Sequence, residues 1–203
     1  VNTPINDSKG CGGVMRVAPI GLFFADTDTA YEESDMLAAE ATALTHGHDL
    51  GFIPAAALAH IVRAVTESDV LLKDAVSDSI KVMEKLFPNA EHIVDFIAIM
   101  QKAVQLAESN ADALSAIHQL GEGWVAEETL AIAVYCALKY KNNFDMAIRT
   151  AVNHNGDSDS TGAVCGNILG AYIGYNAIPQ KFKERLELHD LIIKVADDLY
   201  DNR

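Results

Sequence analysis

The chain has 203 residues, half of them hydrophobic, and a formal charge of −14. That length supports one domain with a sizeable core, and no long low-complexity tract interrupts it. The acidic balance excludes a nucleic-acid backbone as the main partner, because phosphate binding needs a basic stripe; it reads first as a solvated surface. Taken in order, residues 2–13 are loop by composition: Pro4, an Asn-Asp-Ser run, then Gly10, Gly12 and Gly13. A glycine-rich loop before an apolar helix can bring backbone N–H groups close to phosphate, or can be only a tight turn. Met15 to Phe24 is a predicted helix, bent at Pro19. Ala25-Asp26-Thr27-Asp28-Thr29 reads as a turn and cap.

Tyr31 to Thr45 has apolar residues at Leu37, Ala38, Ala41 and Leu44, a helical pattern. It ends in Thr45-His46-Gly47-His48-Asp49, with Gly47 as the expected C-cap. The two histidines are spaced i, i+2, share no helix face, and read as turn residues. Ile53 to Val65 is an Ala-rich helix with Pro54 near its first turn. Ser68 is expected to cap a helix from Asp69 to Phe87 that Pro88 stops. Ala90 to Glu108 follows, then a short helix to about Leu120 started by Asn110 or Asp112. His60, His92 and His118 lie within these helices and read as surface or satisfied core histidines.

Gly121-Glu122-Gly123-Trp124 is a flexible corner with the chain's only tryptophan, which by itself suggests a core plug. Glu127 to Tyr140 is strongly apolar and should be central. Glu127 and Glu128 suit the first turn's dipole, and Cys136 fills core. Asn143 caps Phe144 to Val152. Pro179 opens a short basic helix with Lys181, Lys183 and Arg185, and Asp190 caps the last helix, to about Tyr200. No strand candidate, internal repeat or long linker is legible, so the expectation is all-α and a single domain over 1–203. Cys11, Cys136 and Cys165 are few, odd in number and lack metal spacing, which fits free thiols in a reducing compartment. With no signal peptide and no convincing transmembrane run, the expected location is the cytoplasm.

The densest chemistry is Asn153-His154-Asn155-Gly156-Asp157-Ser158-Asp159-Ser160-Thr161-Gly162, ahead of an apolar run from Ala163 to Tyr175. Glycines at 162, 166, 170 and 174 recur at a spacing that puts them on one helix face. Carboxylates and hydroxyls at a helix N-terminus can hold a hard cation through oxygen. They can also serve as a plain N-cap, with Asp159 or Ser160 in that role. An EF-hand fails, because the twelfth position from Asp157 is Ile168 rather than glutamate. A membrane helix is marginal in length, carries Asn167 and begins beside two charges.

This stretch resembles the C-terminal metal motif of the ADP-ribosylglycohydrolase family (dinitrogenase reductase-activating glycohydrolase-like). Ser8-Lys9-Gly10-Cys11-Gly12-Gly13-Val14-Met15-Arg16-Val17-Ala18-Pro19 and Gly123-Trp124-Val125-Ala126-Glu127-Glu128 agree with it, in the family's order. The resemblance implies a compact orthogonal helical bundle, with this chain opening in mid-domain and lacking the family's N-terminal part. That part carries a Thr-Asp-Asp motif, absent here, which completes the metal site. It further implies that Ser8, Gly10, Cys11 and Gly12 line the diphosphate of ADP-ribose, that His46 lies near its ribose and that Trp124 stacks at the cleft. Lys9 and Cys11 occupy positions the family varies. Asp157, Asp159 and Ser160 are the implied ligands of magnesium or manganese, one of a pair in the complete fold. The implied reaction removes ADP-ribose from a protein side chain or small molecule by metal-assisted cleavage of a glycosidic bond; the implied partner is ADP-ribose or an ADP-ribosylated protein, with no nucleic acid and no membrane. Two other readings stand beside it: an inactive ADP-ribose- or nucleotide-binding remnant, and an acidic helical interaction protein with no site.

Overall fold

A computed structural model describes residues 1, 4–67 and 70–202. Among them are eleven α-helices and no strand. In chain order, a 3-10 turn at Val14–Arg16 leads to α1 (Ala18–Phe24), α2 (Tyr31–Ala43), α3 (Asp49–Thr66), α4 (Leu72–Leu86), α5 (Ile93–Glu108) and α6 (Ala113–Leu120). Then come α7 (Ala126–Lys139), α8 (Phe144–Ala151), α9 (Ser158–Ile173), a 3-10 turn at Tyr175–Ala177, α10 (Gln180–Lys183) and α11 (His189–Asp201). The all-α expectation holds.

Two helices have no polar face toward solvent, the buried His60 and Arg63 of α3 being bonded to α2, and the others are arranged on them. In α3 every residue from Leu50 to Val65 is buried, and in α7 Leu130 through Ala137 are buried. A helix with no polar face must be covered on every side. Accordingly α3 touches α1, α2, α4, α5, α7 and α9, while α7 is packed by α5, α6, α8 and α9. Their many alanines let neighbouring backbones approach closely, and Phe52, Ile53, Leu58, Ile61, Leu130, Ile132 and Tyr135 fill the remaining space. Each large aliphatic side chain so buried contributes roughly 1.5–3 kcal/mol. By length and composition α3 could cross a membrane, but 89% of it is buried inside the fold, as a core helix requires.

The structure departs from the sequence pattern in instructive places. In α2 the buried face is Ser34, Asp35, Ala38, Ala39, Thr42 and Ala43, while Leu37 and Leu44 are exposed. Counting apolar residues therefore put the inner face one position off, because Ser34 and Asp35 are polar residues with buried partners. α3 begins at Asp49, four residues early, because the His48 Nδ1 caps it by accepting from the Leu50 amide at 3.0 Å. Pro54 thus falls inside the helix rather than near its first turn, where it removes one helical hydrogen bond. Gly47 is not a C-cap: a β-carbon there would lie 2.3 Å from Asn6 O, so it is small to admit the N-terminal loop. The expected Ser68 cap and Asp69 start lie outside the described residues; α4 is described from Leu72, with Leu71 before it. Gly174 lies outside α9 and ends it with a φ of 74°, so only the three earlier glycines are helical. Asp190 sits within the first turn of α11, its carboxylate turned to His189, and Leu188 is the capping position. Asp112 and Asn143 do cap α6 and α8, accepting from Ser115 N and Met146 N at 3.1 Å each.

Candidate active site

Three loops meet at the N-terminal ends of α7 and α9. The first, residues 8–13, is held from both sides. Cys11 N donates to Trp124 O at 3.3 Å and Ala126 N donates to Lys9 O at 2.9 Å, so Gly10 and Val125 form an antiparallel bridge. On the other side His48 N donates to Ser8 O at 3.2 Å. Lys9 points away from the loop into an ion pair with the buried Glu127, Nζ to Oε1 2.6 Å. The Gly10 amide leans on its own loop, toward Ser8 Oγ at 3.4 Å. The Gly12 amide is exposed and has no acceptor among the described residues.

His46 lies flat against this loop. Its ring atoms would be in ordinary contact, 3.4–3.6 Å, with β-carbons built on Gly10 and Gly12, whereas one on Gly13 would lie 3.2 Å from His46 Nδ1 and 2.5 Å from Thr42 Cγ2, so Gly13 is the glycine that makes room for the imidazole. Arg16 Nη2 donates to Thr45 Oγ1 at 2.6 Å, and that hydroxyl is 2.8 Å from His46 Nδ1. The hydroxyl also lies 3.4 Å from Thr42 O, to which it can donate, so it gives a proton to Nδ1 or accepts one from it according to the imidazole tautomer. Burial, and then the Arg16 charge, push the His46 pKa below the ordinary imidazole value, which keeps the ring neutral.

The second element is the corner at 121–124. Gly121 and Gly123 have φ of 124° and 82°, a region closed to most residues. The turn wraps onto Glu128, whose Oε2 accepts from Glu122 N and Gly123 N at 3.0 Å each. Glu127 and Glu128 therefore do structural work through named partners, beyond their place in the helix dipole. Trp124 is 58% exposed, with Nε1 donating to Glu122 Oε2 at 3.2 Å, so it is no core plug.

The third element is the acidic loop. His154 Nδ1 accepts from Gly156 N at 3.1 Å, and its Nε2 lies 2.9 Å from Thr161 Oγ1, which in turn donates to Ala151 O at 2.7 Å. This chain ties the loop's start to α9 and assigns the proton to Nε2. Burial is the main cause holding His154 below its usual pKa, so it too is neutral. Asp157 N donates to Glu122 O at 2.7 Å, joining the acidic loop to the corner.

Asp157 is the N-cap position of α9, a place the sequence had offered to Asp159 or Ser160, yet its carboxylate makes no well-formed capping bond. Instead Cys11 Sγ donates to Asp157 Oδ2 at 2.8 Å, and Cys11 Sγ is 3.4 Å from Ser160 Oγ. Asp157 is 8% and Ser160 3% exposed, while Asp159 is exposed. Burial works to raise the Asp157 carboxyl, but the hydrogen bond from Cys11, then the Ser160 hydroxyl and amide, hold it below the usual carboxylate range. The Cys11 thiol is raised in turn, first by burial and then by the Asp157 carboxylate, so it stays protonated. In donor chemistry Asp157, Asp159 and Ser160 fit a hard divalent ion, but they are fewer than the six or more oxygens such ions take. Among the described residues no group of three His, Cys, Asp or Glu side chains converges for a metal.

Of the residues singled out in the sequence, Gly10 and Gly12 are thus brought against His46 with Ser8 beside Gly10, while Cys11 meets Asp157 and Ser160. Trp124 lies on the corner, with Asp159 at the rim. Arg16, Thr45, Glu122, Glu128 and Thr161 support them and were missed as such. Only the family-motif stretches contained a hint of Thr161; nothing in the spacing pointed to the Arg16–Thr45 pair, 29 residues apart.

The family model described as ADP-ribosylglycohydrolase matches residues 2–203. ADP-ribosylhydrolase ARH3 of Bos taurus is 24% identical across 95% of this chain and 58% of its own length. ADP-ribosylarginine hydrolase Tri1 of Pseudomonas putida (strain GB-1) is 35% identical over 39% of this chain and 21% of its own. A solved structure titled ADP-ribosylglycohydrolase-related protein complex superposes with a TM-score of 0.71 at 27% identity, covering 96% of this chain and 60% of that one. The chain therefore spans somewhat under two thirds of the proteins it most fully matches.

Proposed function

The chain belongs to the ADP-ribosylglycohydrolase family, and from that premise we propose that it takes part in hydrolytic removal of ADP-ribose from a modified side chain or small molecule. The observation that carries this reading is the meeting of the glycine loop with the acidic loop, Cys11 Sγ to Asp157 Oδ2 at 2.8 Å. It sets an N–H-bearing loop suited to a diphosphate beside an ionised carboxylate suited to a ribose or its ion.

In this proposal the Gly12 amide and the Ser8 hydroxyl face the diphosphate, with Gly10 and Cys11 shaping the loop. In its Nε2-protonated tautomer His46 donates a hydrogen bond to a ribose oxygen. Trp124 offers an exposed ring for the base or ribose to stack on. Cleavage of the anomeric bond passes through an oxocarbenium-like state, which a nearby carboxylate such as Asp157 stabilises. Magnesium or manganese held by Asp157, Asp159 and Ser160 would supply Lewis acidity toward the ribose hydroxyls and a bound water. The oxygen-only donors favour these ions over zinc.

A second reading has its own support. Because no three ligands converge among the described residues, this chain alone fits a module that binds ADP-ribose without cleaving it. Calorimetric titration of magnesium or manganese, with and without ADP-ribose, separates the two when paired with hydrolysis assays on ADP-ribosylated arginine and serine peptides. The enzyme reading expects metal binding tightened by ADP-ribose, abolished in Asp157→Ala/Asp159→Ala, and release of ADP-ribose. Binding of ADP-ribose with no metal effect and no release favours the module. No binding of either sinks both.

A further inference from the structure

Away from these loops, α2, α3 and α4 line an open pocket of about 760 Å³, with Lys81 on its wall beside the acidic groups. His60 of α3 forms part of its wall and is 1% exposed. Its Nδ1 lies 2.8 Å from Oδ2 of the fully buried Asp35 on α2. A carboxylate there accepts the Nδ1 proton and leaves the lone pair on Nε2. Nε2 has no hydrogen-bond partner among the described residues. Asp78 of α4 stands beside it, Oδ2 at 3.4 Å, without making a hydrogen bond. Asp74, one turn earlier on the same helix, and Glu32 of α2 line the same pocket. Tyr31 packs a tilted ring on the imidazole, centroids 4.9 Å apart, and so fixes its plane.

A core histidine kept only for packing would have both nitrogens bonded or sealed in apolar contact. Here one nitrogen is bonded to a buried carboxylate, and the other, shielded from solvent, has no hydrogen-bond partner and lies 3.4 Å from the Asp78 carboxylate at the pocket wall. A histidine oriented through one nitrogen by a carboxylate, with the other presented outward, is the arrangement that metal-binding histidines use. The separation agrees: two ligands about 2.0–2.2 Å from a four-coordinate zinc ion are about 3.4 Å from each other. The Nε2–Oδ2 distance is 3.4 Å. No three such side chains already converge among the described residues, so Asp74 must rotate inward or water must complete the shell.

We propose that His60 and Asp78, completed by Asp74 and water, form a binding site for a divalent transition-metal ion of the zinc class, with Asp35 as the residue that orients His60. An imidazole ligand sets this site apart from the oxygen-only loop at Asp157: it selects zinc, cobalt or nickel over magnesium. The proposal does not depend on the activity proposed above.

The test uses the full chain carrying Cys11→Ser, so that the partly exposed thiol cannot compete. Zinc is titrated by calorimetry and cobalt(II) by its visible ligand-field absorption. The expected result is one ion per chain with a four-coordinate cobalt spectrum. Asp78→Asn changes an exposed carboxylate, leaves the fold intact by circular dichroism, and weakens binding by about tenfold or more; Asp35→Asn weakens it by about 10–100-fold through the lost orientation. Asp157→Asn/Asp159→Asn and His92→Ala leave it unchanged. The proposal is overturned by no binding, by binding that survives Asp74→Asn/Asp78→Asn, or by binding lost with the acidic-loop variant or His92→Ala.

Discussion

Gly156→Ala tests the placement of the acidic loop. The loop crosses the 121–124 corner so closely that a β-carbon at 156 would lie 1.8 Å from Glu122 O and 2.5 Å from its carbonyl carbon. Non-bonded atoms settle near 3.5 Å, so one strand of backbone must retreat by roughly 1.5 Å. Neither can turn aside as a side chain does. Glu122 is pinned by its amide on Glu128 Oε2 and by its carbonyl on Asp157 N at 2.7 Å. The retreat lengthens that second bond, a loss of about 1 kcal/mol, and overpacking adds about 1–3 kcal/mol. The sum, about 2–4 kcal/mol, lowers the melting temperature of a domain this size by roughly 4–16 °C. Scanning calorimetry measures it, with Gly166→Ala as the internal comparison. A β-carbon at 166 meets only Ile148 Cδ1, at 3.9 Å, and alanine is the better helix former by about 1 kcal/mol. The expected pattern is one variant down and the other level or up. If Gly156→Ala melts at or above the parent, the close crossing is not there and the contact of Asp157 with Cys11 loses its basis.

Other outcomes follow from the same contacts. His46 and His154 have folded pKa values below the ordinary 6.5, mainly through burial; their contribution to stability is full above that unfolded value and is lost as pH falls through the folded ones. Urea unfolding at pH 7.5 and 5.5 should show the lower pH less stable, and imidazole NMR should show Arg16→Gln raising the His46 pKa; no rise would remove the Arg16 charge as a cause. Cys11→Ala deletes a donor to Asp157, so the carboxyl pKa, now held below 3.8, should move up in a carbon-detected titration. The acid limb of the stability curve should move up with it, since a depressed carboxylate stabilises above its unfolded pKa and ceases to as pH falls through its folded one. Trp124 is the only tryptophan and is 58% exposed, so intrinsic fluorescence reports on the site alone. Iodide should quench it readily and ADP-ribose should protect it; equal quenching with and without ADP-ribose would place the nucleotide elsewhere.

Helix existence was legible because it is a local property. The apolar run of α7 reads as a central helix and that of α3 as an Ala-rich one, Asn143 announces its cap, and Asp112 is one of two residues, with Asn110, offered for the cap of α6. What the pattern missed was set by distant partners. The inner face of α2 is turned by Asp35 and Ser34, whose polarity argued for solvent until His60 and Arg63 were seen to bond them. The start of α3 depends on a histidine used as a cap, a role usually filled by Ser, Thr, Asp or Asn. His60 itself reads from the sequence as a surface or satisfied core histidine; it is in the core, and only its Nδ1 side is satisfied.

The candidate site was legible as three separate stretches, through their likeness to a family, and its assembly was not. Asp-x-Asp before a helix leaves capping and ligation equally open while the carboxylate's partner is unknown. The structure puts Asp157, rather than Asp159 or Ser160, at the N-cap position, and gives its carboxylate a thiol from a residue 146 positions away in place of a capping bond. The resemblance offered Cys11 only as part of the diphosphate lining, and nothing in the sequence pointed to its bond with Asp157. Its protonated sulfur helps keep Asp157 ionised despite burial, and a neutral donor does so without a fixed positive charge that would repel a cation. A lysine at position 11 would ionise Asp157 as well and oppose an ion there; Lys9, two residues away, is kept apart by its ion pair with Glu127. The loop thus leaves its one ionised, buried carboxylate with a partner that can be displaced, which is the condition for any ligand to take its place.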